Sequence, residues 1–136
     1  MLVGAIDRAD VATIVDYLEA STAPLRVAQI RVLGGAVARV PAEATAFAHR
    51  ARRIMVNVAA IYEHPDEQSR HEAWVTDFAA ALRRGETGAY VNFLGDEGEA
   101  RIREAYPGST WDRLRAIKSR YDPTNLFRLN QNIPPA

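Results

Sequence analysis

An α+β fold is predicted for this chain from three features of its sequence. Residues 54–62 read as a strand with apolar side chains on both faces, residues 66–84 as a long amphipathic helix, and the segment after residue 95 as two further helices followed by an aperiodic tail. The links between the first three strand-like segments are too short for helical crossovers, so antiparallel pairing is expected. The expected architecture is a small antiparallel sheet of about four strands covered by helices, with an extended C-terminal tail.

Asp7 to Ala20 is expected to be a helix. Val11, Ile14, Val15 and Leu18 recur at helical spacing, Asp7 or Asp10 can cap the start, and Pro24 ends it. Ala28, Ile30 and Val32 alternate with Gln29 and Arg31 as a half-buried strand. Gly34-Gly35 then permits a bend, and Ala36 to Val40 is expected to continue as a second strand. A phosphate cradle at these glycines would need a Lys-Ser/Thr pair or a third glycine, and neither stands here.

Ile54 to Tyr62 is the central strand of the prediction, with Ile54, Val56, Val58, Ala60 and Tyr62 on one face. Pro65 ends it and opens the long helix, whose buried stripe is Trp74, Phe78, Ala81 and Leu82 and whose left-handed cap is expected at Gly85. Gly88 to Leu94 reads as a short strand with Tyr90 and Asn92 on one face. Asp96 opens a helix with Glu99 as its capping partner, and Pro107-Gly108 stops it. Ser109 or Thr110 caps the last helix, which buries Trp111, Leu114, Ile117 and Tyr121 and ends at Asp122-Pro123. The tail from Leu126 to Ala136 has no period and is expected to lie extended on a surface.

Composition narrows the function. The 136 residues suit one domain, and 48% hydrophobic content suffices for a core. The formal net charge is zero, which removes the electrostatic case for nucleic acid or an anionic membrane as partner. There is no cysteine, so disulfides and thiolate metal sites are excluded. His64 and His71 have no metal-ligand spacing, and no metal site is expected. The start of the chain has no basic region followed by a long apolar run, and no segment has the apolar length of a membrane span. The default expectation is a cytoplasmic protein.

Among residues able to carry chemistry, His49 reads as structural, bonded to backbone, rather than as a base. Arg50, Arg52 and Arg53 read as a solvated edge. Tyr90 and Asn92 form the best polar pair. Taken from the residues alone, Tyr90 is a strand aromatic at the edge of the core. Asn130 and Asn132 offer amide donors and acceptors, and otherwise read as turn formers in a tail.

A set of short motifs stands in order along the chain: Leu33-Gly34-Gly35-Ala36, Thr45 to Arg50, Tyr90-Val91-Asn92, Arg113 to Lys118, Tyr121-Asp122-Pro123-Thr124-Asn125-Leu126-Phe127, and Asn130-Gln131-Asn132-Ile133-Pro134. In this order and spacing the chain resembles the C-terminal portion of the berberine-bridge-enzyme-like FAD-linked oxidases. That resemblance implies residues 1–108 as a substrate-domain-like region and 109–136 as the C-terminal helix and tail, packed as one unit. It implies an oxidoreductase in which hydride passes from a small organic substrate to FAD. Tyr90 is then the catalytic candidate, Asn92 the substrate-binding candidate, and Asn130 and Asn132 the cofactor-binding candidates. The family binds FAD mainly through a domain that precedes the segment seen here. The chain alone is therefore expected neither to retain FAD nor to be active, and an FAD-binding domain or subunit is the expected partner. Trp111, Leu114, Ile117, Tyr121, Leu126 and Phe127 would lose cover without that domain, which leads to the expectation of a homodimer. The rival reading is a non-enzymatic α+β module that associates with itself or a subunit through an unpaired sheet edge.

Overall fold

The computed structural model describes residues 1–136. Two compact units share the chain, one made of Met1–Leu33 with Arg52–Thr87, the other of Gly34–Ala51 with Gly88–Ala136.

The first unit is a sheet backed by two helices. Its strands are β1 (Leu2–Val3), β2 (Leu25–Val32) and β3 (Ile54–Ile61), and its helices α1 (Arg8–Ala20) and α3 (Gln68–Arg83). The strand order is β1-β3-β2, and both pairings are antiparallel. β2 runs against β3 over its full length, with Leu25 opposite Ile61 and Val32 opposite Ile54. Partners across the ladder share a face, so Val3, Ala28, Ile54, Val56 and Val58 point together. That face meets Ile14 of α1 and Phe78 and Leu82 of α3 in one hydrophobic core. Tyr17 stacks on Phe78 at 4.7 Å, and Trp74 meets Phe78 edge-on at 5.4 Å. The Trp74 indole N–H donates to the Tyr17 carbonyl at 2.9 Å, which satisfies the one polar atom of that ring.

The ends of α1 and α3 are tied. Asp7 accepts from the Asp10 amide and Asp10 from the Asp7 amide, both at 2.9 Å, a reciprocal capping box. The Arg84 guanidinium reaches Asp7 at 3.0 Å and Asp10 at 2.7 Å. The left-handed cap of α3 accordingly begins at Arg84 (φ 47), one residue before the expected Gly85 (φ 80). α3 itself is entered through a 3₁₀ turn at Pro65–Glu67.

The second unit contains α2 (Ala36–Arg39), a 3₁₀ turn at Ala42–Ala44, a 3₁₀ turn at Val91–Phe93, α4 (Glu99–Ala105), α5 (Ser109–Tyr121) and the tail. Trp111 is buried, at 5% exposure, with the Arg103 guanidinium over its ring at 5.2 Å.

The α+β class holds, and the sheet has three strands instead of about four. Of residues 36–40, expected as a strand, Ala36–Arg39 form α2. Gly35 (φ 54) turns the chain out of β geometry just before it, and the Val37 carbonyl takes a hydrogen bond from Arg50 at 3.3 Å. Residues 88–94, also expected as a strand, have no ladder partner and close the tight turn at Val91–Phe93. β1 has only two residues, too few to show alternation, and was not expected.

Candidate functional site

The candidate residues lie in the second unit, and the loop before β3 supplies their packing. Arg50 organises that loop by donating to the Phe47 carbonyl at 2.9 Å, the Val37 carbonyl at 3.3 Å and the Thr45 hydroxyl at 2.6 Å. The basic residue read as a solvated edge is thus an internal tie. His49 Nε2 lies 2.7 Å from the Glu104 carbonyl. A carbonyl only accepts, so this nitrogen carries the proton, and the histidine has the backbone-bonded structural role expected of it.

Tyr90 enters the Val91–Phe93 turn with extended backbone, and the Phe93 amide donates to its carbonyl at 2.9 Å. Its ring is held edge-on between Phe47 at 5.9 Å and Phe93 at 5.6 Å. Asn92 Nδ2 donates to the Tyr90 hydroxyl oxygen at 2.9 Å. Tyr90 and Asn92 are therefore brought together as the sequence suggested, through a 3₁₀ turn instead of a strand face. Tyr90 is half-buried and Asn92 exposed. A second phenol is electrostatically coupled to the first: burial, and after it the charge of Tyr90, raise the Tyr106 phenol above its usual range.

The tail is anchored at several points. Lys118 pairs with Asp122 and donates to the Phe127 carbonyl at 2.6 Å. The Asp122 carboxylate accepts from the Leu126 amide at 2.7 Å and the Phe127 amide at 3.0 Å. The Lys118 hydrogen bond, then the two backbone amides, hold its pKa below the usual carboxylate range against the opposing effect of desolvation. Asn125 takes a left-handed conformation (φ 54) inside this turn. The Lys118, Asp122-Pro123 and Asn125 motif residues thus form a latch. Their spacing in the sequence showed the turn but not the lysine that closes it.

Beyond the latch, Gln131 Nε2 donates to the Leu94 carbonyl at 2.8 Å and so binds the tail to the end of the Tyr90 turn. Arg115 donates to the Pro135 carbonyl at 2.9 Å, and Ser119 Oγ accepts from the Ala136 amide at 2.7 Å. Asn130 is exposed with φ 59. Asn132 is half-buried, and its Oδ1 is buried without a hydrogen-bond partner. An orphaned acceptor of this kind fits the N–H edge of a flavin ring, whereas Asn130 presents only an exposed amide. Sequence reasoning missed Phe47, Tyr106 and Gln131. Phe47 and Gln131 carried a signal, within the Thr45 to Arg50 and the Asn130 to Pro134 motifs.

The architecture is that of a helix-backed antiparallel sheet joined in sequence to a latched C-terminal segment that presents a packed tyrosine. Residues 89–134 match the family described as berberine and berberine like. An uncharacterised FAD-linked oxidoreductase of Bacillus subtilis is 35% identical over 127 residues, which is 92% of this chain and 28% of that protein. A xylooligosaccharide oxidase of Thermothelomyces thermophilus is 34% identical over 109 residues, covering 74% of this chain and 22% of its own length. Among solved structures, wild-type BBE-like 1 of Physcomitrella patens superposes with a TM-score of 0.84 at 21% identity, over 98% of this chain and 29% of that one. The chain belongs to the berberine-bridge-enzyme-like family of FAD-linked oxidoreductases and spans less than a third of the length of these relatives. No helix is long and apolar enough to cross a membrane.

Proposed function

We propose that this chain is the substrate-covering and C-terminal portion of an FAD-dependent oxidase that removes hydride from a small organic substrate, and that it acts only together with an FAD-binding domain or subunit. The observation that carries the reading is the presentation of Tyr90. Its ring is fixed by Phe47 and Phe93 and its oxygen is met by Asn92, and Tyr90, Asn92 and Phe93 lie inside the segment that matches the family. A phenol so held can receive or pass the proton of a substrate hydroxyl at Oη. Asn132 would take a polar contact with the flavin edge through its unpartnered Oδ1. Bound flavin would supply the hydride acceptor.

Ile117, Tyr121, Leu126, Phe127 and Leu129 are exposed, Phe127 at 78% and Leu129 at 85%. Burying each such side chain is worth roughly 1.5–3 kcal/mol. This strip is the surface we assign to the FAD-binding partner, and in its absence to a second copy of the chain. Light scattering of the chain alone should give a dimer. Addition of the FAD-binding partner should replace it with a heterologous, flavin-retaining complex, and a monomer with or without the partner would remove this assignment.

The functional test is Tyr90→Phe in the flavin-loaded assembly. Turnover should fall by a factor of about 100, as it does when a proton-transfer group is lost. Undiminished turnover would reduce Tyr90 to a packing residue.

A further inference from the structure

We propose that Asn92 is a positioning residue for Tyr90, occupying one lone pair of the phenol oxygen so that the face of the oxygen that receives the substrate's hydroxyl proton is turned away from the amide and toward a bound substrate. The inference rests on the oxidase reading of Tyr90 and assigns Asn92 a different task from direct substrate contact. A phenol oxygen both donates and accepts. The Asn92 carboxamide nitrogen donates to it at 2.9 Å, which occupies one lone pair. The hydroxyl hydrogen cannot point along that same line, so one of its two in-plane orientations is removed. Phe47 and Phe93 meanwhile hold the ring from two sides, at interplanar angles of 88° and 60°. The rings fix the plane of the phenol, and the amide fixes the remaining rotation at its oxygen.

The contact is local, which makes it robust. Tyr90 and Asn92 flank Val91 in a turn closed by the Phe93 amide on the Tyr90 carbonyl at 2.9 Å and the Leu94 amide on the Val91 carbonyl at 3.2 Å. Gln131 caps the same turn from the tail through the Leu94 carbonyl. An exposed hydrogen bond between neutral groups adds little to stability, so the fold itself does not require an amide at this position. A charged acceptor roughly doubles the strength of a hydrogen bond, so Asn92 favours the phenolate, the form of Tyr90 that can take the substrate's hydroxyl proton as hydride leaves for flavin.

Two measurements test this. In the chain itself, labelled with ¹³C at tyrosine Cζ, the Tyr90 signal is identified by its loss in Tyr90→Phe. It should move in both Asn92→Ala and Asn92→Asp while the other tyrosine signals stay in place. In the flavin-loaded assembly, Asn92→Ala should lower kcat about tenfold with KM changed less than about twofold, the pattern of lost orientation. Asn92→Asp should lower it further, because a carboxylate cannot donate to the oxygen, holds the phenol's own hydrogen and repels the phenolate that would accept the substrate's proton. An unmoved Tyr90 signal, an unchanged kcat, or a rise in KM alone would each overturn the proposal, the last by making Asn92 a substrate ligand. If Tyr90→Phe itself leaves turnover intact, the oxidase reading of the site falls and the proposal with it. If only the Asn92 variants are silent, the oxidase reading stands and the positioning role is lost.

Discussion

In the unit built on the sheet, Phe78 has no exposed surface, and Val3, Ile14, Val56 and Leu82 close around it from two strands and two helices. In the unit that carries Tyr90, long polar side chains reach back to main-chain carbonyls: Arg50 to Phe47 and Val37, Arg113 to Glu43, Arg115 to Pro135, Lys118 to Phe127 and Gln131 to Leu94. The first unit gains its stability from apolar area removed from water, and the second is shaped by directional bonds that fix loops. A dense core tolerates few vacancies, while a laced segment can open locally without unfolding its neighbours. The candidate chemistry lies in the laced unit, where loops present side chains that a packed sheet would bury.

The sharpest way to break this comparison is to remove one core ring. Phe78→Ala should cost about 3–5 kcal/mol, since the cavity would be lined from β3, α1 and α3 and could collapse only in part. Urea unfolding reads this directly. A loss below about 1 kcal/mol would mean that the core repacks and is not the dense cluster described.

The matching change in the other unit is Lys118→Met, which keeps the aliphatic length and deletes the charge that closes the latch. Asp122 would retain the Leu126 and Phe127 amides but lose its cation. Amide exchange at Leu126 and Phe127 should speed up by about tenfold or more, with little change in the global urea midpoint. A large fall in the midpoint would make the latch part of the cooperative core and erase the distinction between the units.

The same distinction separates what could be read in the sequence from what could not. Apolar periodicity reports burial, so α1, α3, the central strand and the stripe through Trp74, Phe78 and Leu82 were legible, while α5 was legible as a helix but, of its expected stripe, Trp111 is buried and Ile117 and Tyr121 are exposed. The caps of α1 and of the end of α3 were legible to within a residue, whereas α4 starts from Gly98 with no side-chain cap instead of the expected Asp96. Gly85 was the obvious left-handed position and is one, but Arg84, whose guanidinium Asp7 and Asp10 hold, is left-handed before it. The segments misread as strands, 36–40 and 88–94, lie in the laced unit. There Gly35, the 3₁₀ turn and Arg50 decide the path, and none of them leaves a periodic trace. The pairing of Tyr90 with Asn92 was legible because residues two apart also meet across a tight turn. Phe47 joins the site through a long-range ring contact, for which spacing carries no signal.

The smallest expected effect concerns the charged clasp between α1 and the end of α3. The Arg84 guanidinium hydrogen-bonds Asp7 and, with the Asp10 amide, lowers the Asp7 carboxyl from 3.8 to about 2, against the opposing effect of desolvation. A carboxyl that is more acidic when folded favours the native state in full only while it is ionised in both states. Its contribution is therefore complete above about pH 4 and is lost as pH falls from there toward 2. Asp7 and Arg84 are both more than half exposed, at 55% and 53% for their side chains, so solvent and salt screen the pair. The test compares the melting temperature of the wild-type chain with that of Arg84→Met across this window. The wild type should melt slightly higher at about pH 5, the gap should close by about pH 2, and about 1 M salt should shrink it at the higher pH. Asp122 also titrates low, but both proteins keep its latch, so its contribution cancels in the difference. A gap that stays constant with pH would mean that Arg84 stabilises through packing or through its left-handed backbone, and not through the charge on Asp7.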